Sequence, residues 1–330
     1  MNARKPQDVD ANHQHRVEDP TLTDSEPRSD RELDPMAEAF ERHRRRLTGL
    51  AYRMLGSVAE AEDIVQEAYL RWHASDQTRV TEPRAFLSTI VTRLCLDQIK
   101  SARVRREHYV GPWLPEPVLD DETLNADSAS DYALDLSMHL MMALERLSPL
   151  ERAAFLLHDV FDVDFSQVAQ TLGRTEPACR QLAARAREHV KESRPRFSVA
   201  PEAGAKLAEA FLIAARSGDA ESLTRLLADD AVLSTDGGGK RTAALRPILG
   251  RDKISRFFIG IARKFPDRAS YAITPARVNG LPGFLVTEPD GSLHTMSFDI
   301  RDQNIAAIYI VRNPDKLRHL GRPESEHSSS

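Results

Sequence analysis

Residues 165–187, FSQVAQTLGRTEPACRQLAARAR, constrain this chain more than any other stretch. Val168, Ala169 and Leu172 recur at helical spacing behind Ser166, a residue placed to cap a short helix. Gly173 follows, the residue type that most readily takes the left-handed conformation ending a helix. Thr175 then caps a second helix, Pro177 sits in its first turn, and Leu182 and Ala186 form its buried face. Ala169 is small where two crossing helices meet. The pattern reads as a helix-turn-helix rather than an ordinary helical hairpin. Arg174, Thr175, Glu176, Arg180, Gln181 and Arg185 fall on its outer face or leading end, where bases and phosphates are reached.

The rest of the chain is long enough for two or three domains at ~100–200 residues each. Its 330 residues are 41% hydrophobic, and 45 Lys/Arg against 50 Asp/Glu leave a net charge of −5. Cys95 and Cys179 are too few and too far apart for a disulfide framework or a structural zinc site. No cofactor and no metal are implied. The opening residues lack the apolar core of a signal peptide, and no apolar run approaches the ~20 residues of a membrane span. The chain reads as a reduced cytoplasmic protein with no membrane partner.

Residues 1–35 carry nine acids against five bases and read as a disordered tail. Residues 36–108 are helical, with Leu47, Leu50, Ala51, Met54, Leu55 and Val58 at spacings of three and four. Ser57 and Glu60 form a capping box opening a second helix that carries Ile64, Val65, Ala68 and Leu70. Asp63, Gln66 and Glu67 make one polar face of it, opposite Ile64 and Ala68. Pro83 precedes a helix from about 84 to 103, carrying Phe86, Ile90, Leu94 and Ile99. From Phe40 to His108 the chain has thirteen Lys/Arg against nine Asp/Glu, whereas 116–136 has seven acids and no base. A positive helical domain thus runs into an acidic linker, 109–135.

A second helical domain, 136–196, contains another capping box, Ser148 and Glu151 around Pro149. Residues 200–320 change character. Two helices, near 202–217 and 251–264, alternate with strand-like runs near 231–235, 269–278, 283–288, 293–300 and 304–312. Turns at Asn279-Gly280, Pro289-Asp290-Gly291 and Asp302-Gln303-Asn304 separate the strands. This predicts an α+β domain, followed by a disordered tail at 321–330.

The run AEDIVQEAYL, from Ala61 to Leu70, resembles region 2 of bacterial extracytoplasmic-function sigma factors, and the helix-turn-helix resembles their region 4. Trp113, Leu114 and Pro115 with Glu116 and Pro117 resemble a motif of one subfamily. So do Asp236, Gly237, Gly238, Gly239 and Lys240, and Asn313, Pro314, Asp315, Lys316 and Leu317. In that subfamily the sigma domains are fused to a SnoaL-like domain of the NTF2-like fold. The resemblance covers about 37–320.

It implies a multidomain fold: two all-α sigma domains, then an α+β cone. It implies an alternative sigma factor that binds core RNA polymerase, recognises minus-10 and minus-35 promoter elements and performs no chemistry itself. Asp63, Gln66 and Glu67 would then dock on the clamp helices of the largest subunit, where acids and an amide suit a basic surface. The loop before the third helix, with Gln77, Thr78 and Arg79, would hold a base flipped from the minus-10 element. Arg93, Lys100, Arg103, Arg105 and Arg106 would track phosphates. Arg180 and Gln181 would read minus-35 base edges, with Arg185 and Arg187 on phosphate.

The remaining motif residues would regulate the factor in cis, through contacts between the SnoaL-like domain and the sigma domains at high effective concentration. Trp113 would be a semi-rigid anchor in the linker. His294, Asp299, Tyr271 and Asp236 can line a cavity, but their spacing fixes no catalytic dyad. An unknown small ligand is one possible signal. The rival readings are a ligand-sensing helix-turn-helix regulator and a SnoaL-like enzyme fused to a DNA-binding module. The polar docking face counts against both, because neither needs it.

Overall fold

A computed structural model describes residues 35–76, 80–107, 109–119, 137–193, 200–265 and 270–321, without the side chains of Pro35, 101–107 and 192–193. The expected disordered tails lie outside these residues except for Pro35, which opens the first helix, and Gly321, which ends a 3-10 turn; Gln77, Thr78 and Arg79 also lie outside them. The helical part is α1 (Pro35–Leu55), α2 (Val58–His73), α3 (Pro83–Glu107), α4 (Met138–Arg146), α5 (Pro149–Phe155), α6 (Phe165–Leu172) and α7 (Glu176–Ser193). A π-turn, Leu156–Val160, extends α5. Ser148 and Glu151 form the full capping box at α5, with Pro149 in the first turn. At α6 the N-cap position is Asp164, not Ser166, so that helix starts two residues earlier than its sequence suggests.

These helices share one hydrophobic core, running from Phe40 and Leu47 through Val91 and Phe155 to Ala183 and Val190. The two helical stretches that read as separate domains are therefore packed together. Arg46 and Arg84 both donate to the carbonyl of Phe161, and the Arg46 guanidinium stands 4.8 Å from the Phe161 ring centre. Arg152, 3% exposed, reaches across to the Met54 carbonyl at 2.5 Å. Buried guanidinium groups of this kind are tolerable because they meet carbonyl groups that need donors.

The second unit contains α8 (Pro201–Ser217), α9 (Ala220–Leu226), β1 (Leu227–Asp236), β2 (Ile248–Leu249), α10 (Arg251–Lys264), β3 (Ala272–Val278), β4 (Leu281–Thr287), β5 (Leu293–Arg301) and β6 (Asn304–Val311). Among the described residues they form a six-stranded sheet of order β2-β1-β6-β5-β4-β3, antiparallel except for the parallel β1–β6 pair. Asn279, Gly280, Gly291, Asp302 and Gln303 have positive φ at the hairpin turns, as the turn signals predict. Helices α8 and α10 cover the sheet through Phe211 and Phe258, whose rings meet edge to face 4.9 Å apart, and Phe211 also packs on Phe298 of the sheet. This is the expected α+β cone. Helix α9 and strand β2 are additions to the sequence reading.

Candidate functional site

Helix α2 presents its polar face to solvent. Asp63 and Gln66 are exposed, and the half-buried Glu67 pairs with Arg71 at 2.8 Å. Leu70 on the same helix is 56% exposed. Positions 63, 66, 67 and 70 share one side of the helix, so a leucine adjoins the acids and the amide. An exposed leucine beside a polar cluster adds apolar area to a docking face.

The third helix tells a different story. Arg93, expected on phosphate, points its Nε and Nη2 at the carbonyls of Thr171 and Gln170, 3.2 and 3.0 Å away at the end of α6. Thr89 and Thr171 share a hydroxyl hydrogen bond of 2.9 Å beside it. A cation at the negative end of a helix is a favourable pairing. Lys100 remains exposed, with Asp97 at 2.9 Å. The backbone of α3 continues through Arg103, Arg105 and Arg106, whose side chains lie outside the described residues.

The helix-turn-helix forms as the sequence requires. Gly173 takes φ 62°, ψ 43° at the end of α6. Cys179, Ala183, Ala186 and Val190 are buried along α7, which leaves Arg174, Thr175, Arg180, Gln181 and Arg185 exposed and Glu176 partly so. Arg180 bonds Glu176 at 3.1 Å and lies 4.6 Å from the Phe165 ring centre, which holds its guanidinium on the outward face. Arg187, by contrast, is tied to Asp159 at 2.6 Å.

The three remaining motifs converge on one buried cluster. Asp236, at the end of β1, accepts from Lys316 Nζ at 2.8 Å, from the Leu114 amide at 2.9 Å and from the Tyr109 hydroxyl at 2.5 Å. Lys316 is 3% exposed; it also donates to the Leu114 carbonyl and stands 3.2 Å from the Trp113 ring centre. Tyr109 and Trp113 meet edge to face at 4.8 Å, and Asn313 Nδ2 donates to the Tyr109 oxygen at 2.8 Å. Leu114 is fully buried against Val311 and Leu317. Burial and the neighbouring Asp236 push the Tyr109 hydroxyl well above the ordinary phenol range.

Lys240 pairs with Asp315 and ties the glycine turn to the last motif. Its glycines are required. A Cβ on Gly237 would fall 2.2 Å from the Arg241 carbonyl oxygen, and one on Gly238, at φ 58°, would fall 2.3 Å from Asn313 Nδ2.

The other side of the linker binds the helices. Glu116 is buried, and its two carboxylate oxygens accept from Ser57 Oγ and the Val58 amide, each at 2.7 Å. Ser57 still accepts from the Glu60 amide, so the linker glutamate joins the cap at the start of α2. Burial raises the Glu116 carboxyl, against the lowering pull of the Ser57 and Val58 donors. Tyr52 donates to the Glu116 carbonyl at 2.8 Å and receives a bond from Asn279 Nδ2 at 2.9 Å. Asn279 also exchanges bonds with the Val118 backbone, 2.7 and 3.1 Å. Pro115 is buried beneath this run.

The linker is therefore a strap gripped on one side by α1 and α2 and on the other by the sheet. A further tie joins His139, on α4, to Asp299, on β5, at 2.5 Å. Asp299 and Asp236 are thus engaged by other elements, whereas Tyr271 and His294 line a cavity whose lining does not include either aspartate.

Comparison with known proteins adds to this geometry. The family described as Sigma-70 region 2 matches residues 39–105, and Sigma-70, region 4, matches 137–190. The ECF RNA polymerase sigma factor SigJ of Mycobacterium tuberculosis is 39% identical over 296 residues, covering 87% of this chain and 94% of that protein. The probable ECF RNA polymerase sigma factor SigI of the same organism is 38% identical over 291 residues, covering 87% and 96%. The crystal structure of SigJ superposes with a TM-score of 0.67 at 36% identity, covering 85% of this chain and 98% of that one.

Proposed function

The chain belongs to the extracytoplasmic-function RNA polymerase sigma factors, and from that premise we propose that it is an alternative sigma factor held closed by its own third domain. As a sigma factor it joins core RNA polymerase and promoter DNA to initiate transcription. In the reading proposed here, residues 36–108 and 136–196 are sigma regions 2 and 4, and 200–320 is a regulatory module with no catalytic role. The protein works in the cytoplasm. Asp63, Gln66 and Glu67, with Leu70 beside them, dock on the clamp helices of the polymerase. Arg180 and Gln181 read minus-35 bases, Arg174, Thr175, Glu176 and Arg185 support them, and the basic end of α3 follows minus-10 phosphates.

The observation that carries the cis-regulation is the strap itself, with Glu116 sealed onto α2 and Leu114 sealed onto Asp236 and Lys316. Promoter elements at minus-10 and minus-35 lie ~80 Å apart at ~3.4 Å per base pair. A helical unit with one shared core of this size is roughly 40 Å across. Reading both elements thus requires α6 and α7 to leave α3, and the Arg93–Thr171 contact to break. The strap, the His139–Asp299 pair and the third domain hold that contact shut.

The test is co-elution of the full chain with core RNA polymerase, beside a variant with Asp63, Gln66 and Glu67 changed to alanine and a Lys316→Met variant that weakens the strap. Stronger binding by Lys316→Met than by the native chain, with none by the triple variant, is the expected result. Equal binding by all three proteins would remove the docking assignment.

A further inference from the structure

The sheet and its covering helices enclose a cavity of about 410 Å³ that the sigma-factor reading does not use. Its interior is apolar, built from Leu212, Phe257, Phe258, Ile261, Met296 and Ile310. Its polar groups stand at one end of the sheet, where β1, β4 and β6 finish and β3 and β5 begin. There Arg312 bonds the Glu288 carboxylate and the Thr242 carbonyl, the latter at 2.8 Å, and His294 Nδ1 lies 3.1 Å from Glu288 Oε1. Arg216 and Lys264, in the last turns of α8 and α10, complete the rim.

Three permanent cations thus face one acid among the described lining residues, and that acid is already matched by Arg312. A volume of this size with apolar walls and a few polar groups is the usual form of a small-molecule site. The positive rim selects against an organic cation and gives an anion an attraction that a neutral molecule of the same shape lacks.

The position of the cavity matters as much as its chemistry. Side chains alternate across a strand, and here the alternation divides cavity from strap. Thr235 faces the cavity and Asp236 the strap. On β6, Ile310 faces the cavity while Val311 packs on Leu114. Just beyond its end Arg312 faces the cavity, while Asn313 bonds Tyr109. The amides of Arg312 and Asn313 both donate to the Asp236 carbonyl, at 2.7 and 3.0 Å. A ligand that draws on Arg312 therefore acts one peptide away from the strap.

We propose that this cavity binds an amphipathic organic anion, an apolar body bearing one carboxylate or sulfonate, and that its occupancy is passed through the ends of β1 and β6 to the linker strap. The binding site stands without the sigma-factor reading; the regulatory consequence rests on it.

Binding is measured on the full chain with 8-anilinonaphthalene-1-sulfonate and with N-phenyl-1-naphthylamine, the same ring system without the sulfonate. The expected result is saturable binding of the sulfonate. The double variant Arg216→Glu, Lys264→Glu, which changes exposed residues, weakens it about tenfold while shifting the neutral compound less than about twofold. Ile261→Trp or Leu212→Trp, each checked for native circular dichroism, fills the cavity and removes binding of both. Non-saturable binding, equal loss of both compounds on charge reversal, or full binding by a folded, cavity-filled variant would overturn the site.

Transmission is read from Trp113, one of two tryptophans in the chain, in a Trp72→Phe background titrated with dodecanoate. A saturable shift of Trp113 emission with the same midpoint as displacement of the sulfonate is expected. Unchanged emission at saturation would overturn the transmission. No polymerase enters either measurement, so a failure here is distinct from a failure of the sigma-factor assignment.

Discussion

Lys316 and Asp236 form an ion pair 2.8 Å long with side-chain exposures of 4% and 0%. The lysine ammonium is roofed by Trp113 and Tyr109 and also serves the Leu114 carbonyl. A buried pair costs desolvation on both sides, and it persists here because the remaining donors and acceptors are matched. Three separated motifs thus meet at one pair of charges: the linker, the glycine turn and the segment after the last strand.

Removing one charge should be expensive. Lys316→Met leaves a buried carboxylate short of its cation and is expected to lower stability by about 3 kcal/mol. Thermal melting measures that loss. Transcription from a cognate promoter, at matched protein and with core polymerase present, should rise over the native chain.

Gly238→Ala tests the same place by sterics. The added carbon meets the Asn313 amide at a left-handed φ, so a loss of about 2 kcal/mol is expected. Asn313→Ala in the same chain makes room for it, and the double variant should lose less than the sum of the two single changes. A double-mutant cycle on melting temperatures checks this.

The acid limb of stability should run through Glu288. The His294 hydrogen bond and the Arg312 guanidinium hold its carboxyl down at about 2, from an ordinary 4.5. The unfolded chain binds the extra proton between those values, so stability is fully present above 4.5 and is lost as pH falls toward 2. Glu288→Gln should be less stable than the native chain at pH 7 and should flatten that part of the profile. Melting temperature against pH, for both proteins, decides the point.

Leu70 is 56% exposed, so Leu70→Ala should change folding stability by no more than about 0.5 kcal/mol. If α2 docks on polymerase through this face, the same change weakens core binding about tenfold, the loss expected when a buried interface anchor is truncated. Fluorescence anisotropy of labelled protein against core enzyme separates the two effects.

Arg180 and Arg185 should fail in different ways. Arg180→Ala should cost about 1–3 kcal/mol at a single minus-35 position and relax the choice of base there. Arg185→Ala should weaken all sequences alike and lower the salt slope by about 1. Binding of the polymerase holoenzyme to a panel of promoter variants over a salt series distinguishes them.

Local chemistry made much of the fold legible. Gly173 marked the turn between α6 and α7, Ser148 and Glu151 marked the start of α5, and Asn279-Gly280 marked the β3–β4 hairpin. The start of β1 was hidden because Asp229 and Asp230 interrupt its apolar pattern, and its pairing with β6 slips between Leu227 and Val232. The exposure of Leu70 was not legible, because a leucine at helical spacing is most often buried.

The motif resemblance located Trp113, Asp236 and Lys316, but composition and period said nothing of Tyr52, His139 or Asn279. Each of these is a single polar side chain whose partner lies far along the chain. Tyr52 and Asn279 are 227 positions apart, and no spacing rule reaches that distance. Arg93 showed the converse: a basic residue suited to phosphate, occupied here by the end of a neighbouring helix.

The strap runs within a single chain, so under the cis-regulation proposed above each copy of the promoter reader is made together with its own restraint. Inhibition by a separate protein can be outrun by synthesising more sigma factor. Here, raising expression raises locked and unlocked forms in proportion, and the ratio between them is fixed by a unimolecular equilibrium. Under the proposed cis-regulation it is the unlocked fraction, and not the amount, that is insensitive to gene dosage, and the delay of a response is the opening time of the strap instead of the time to clear an inhibitor.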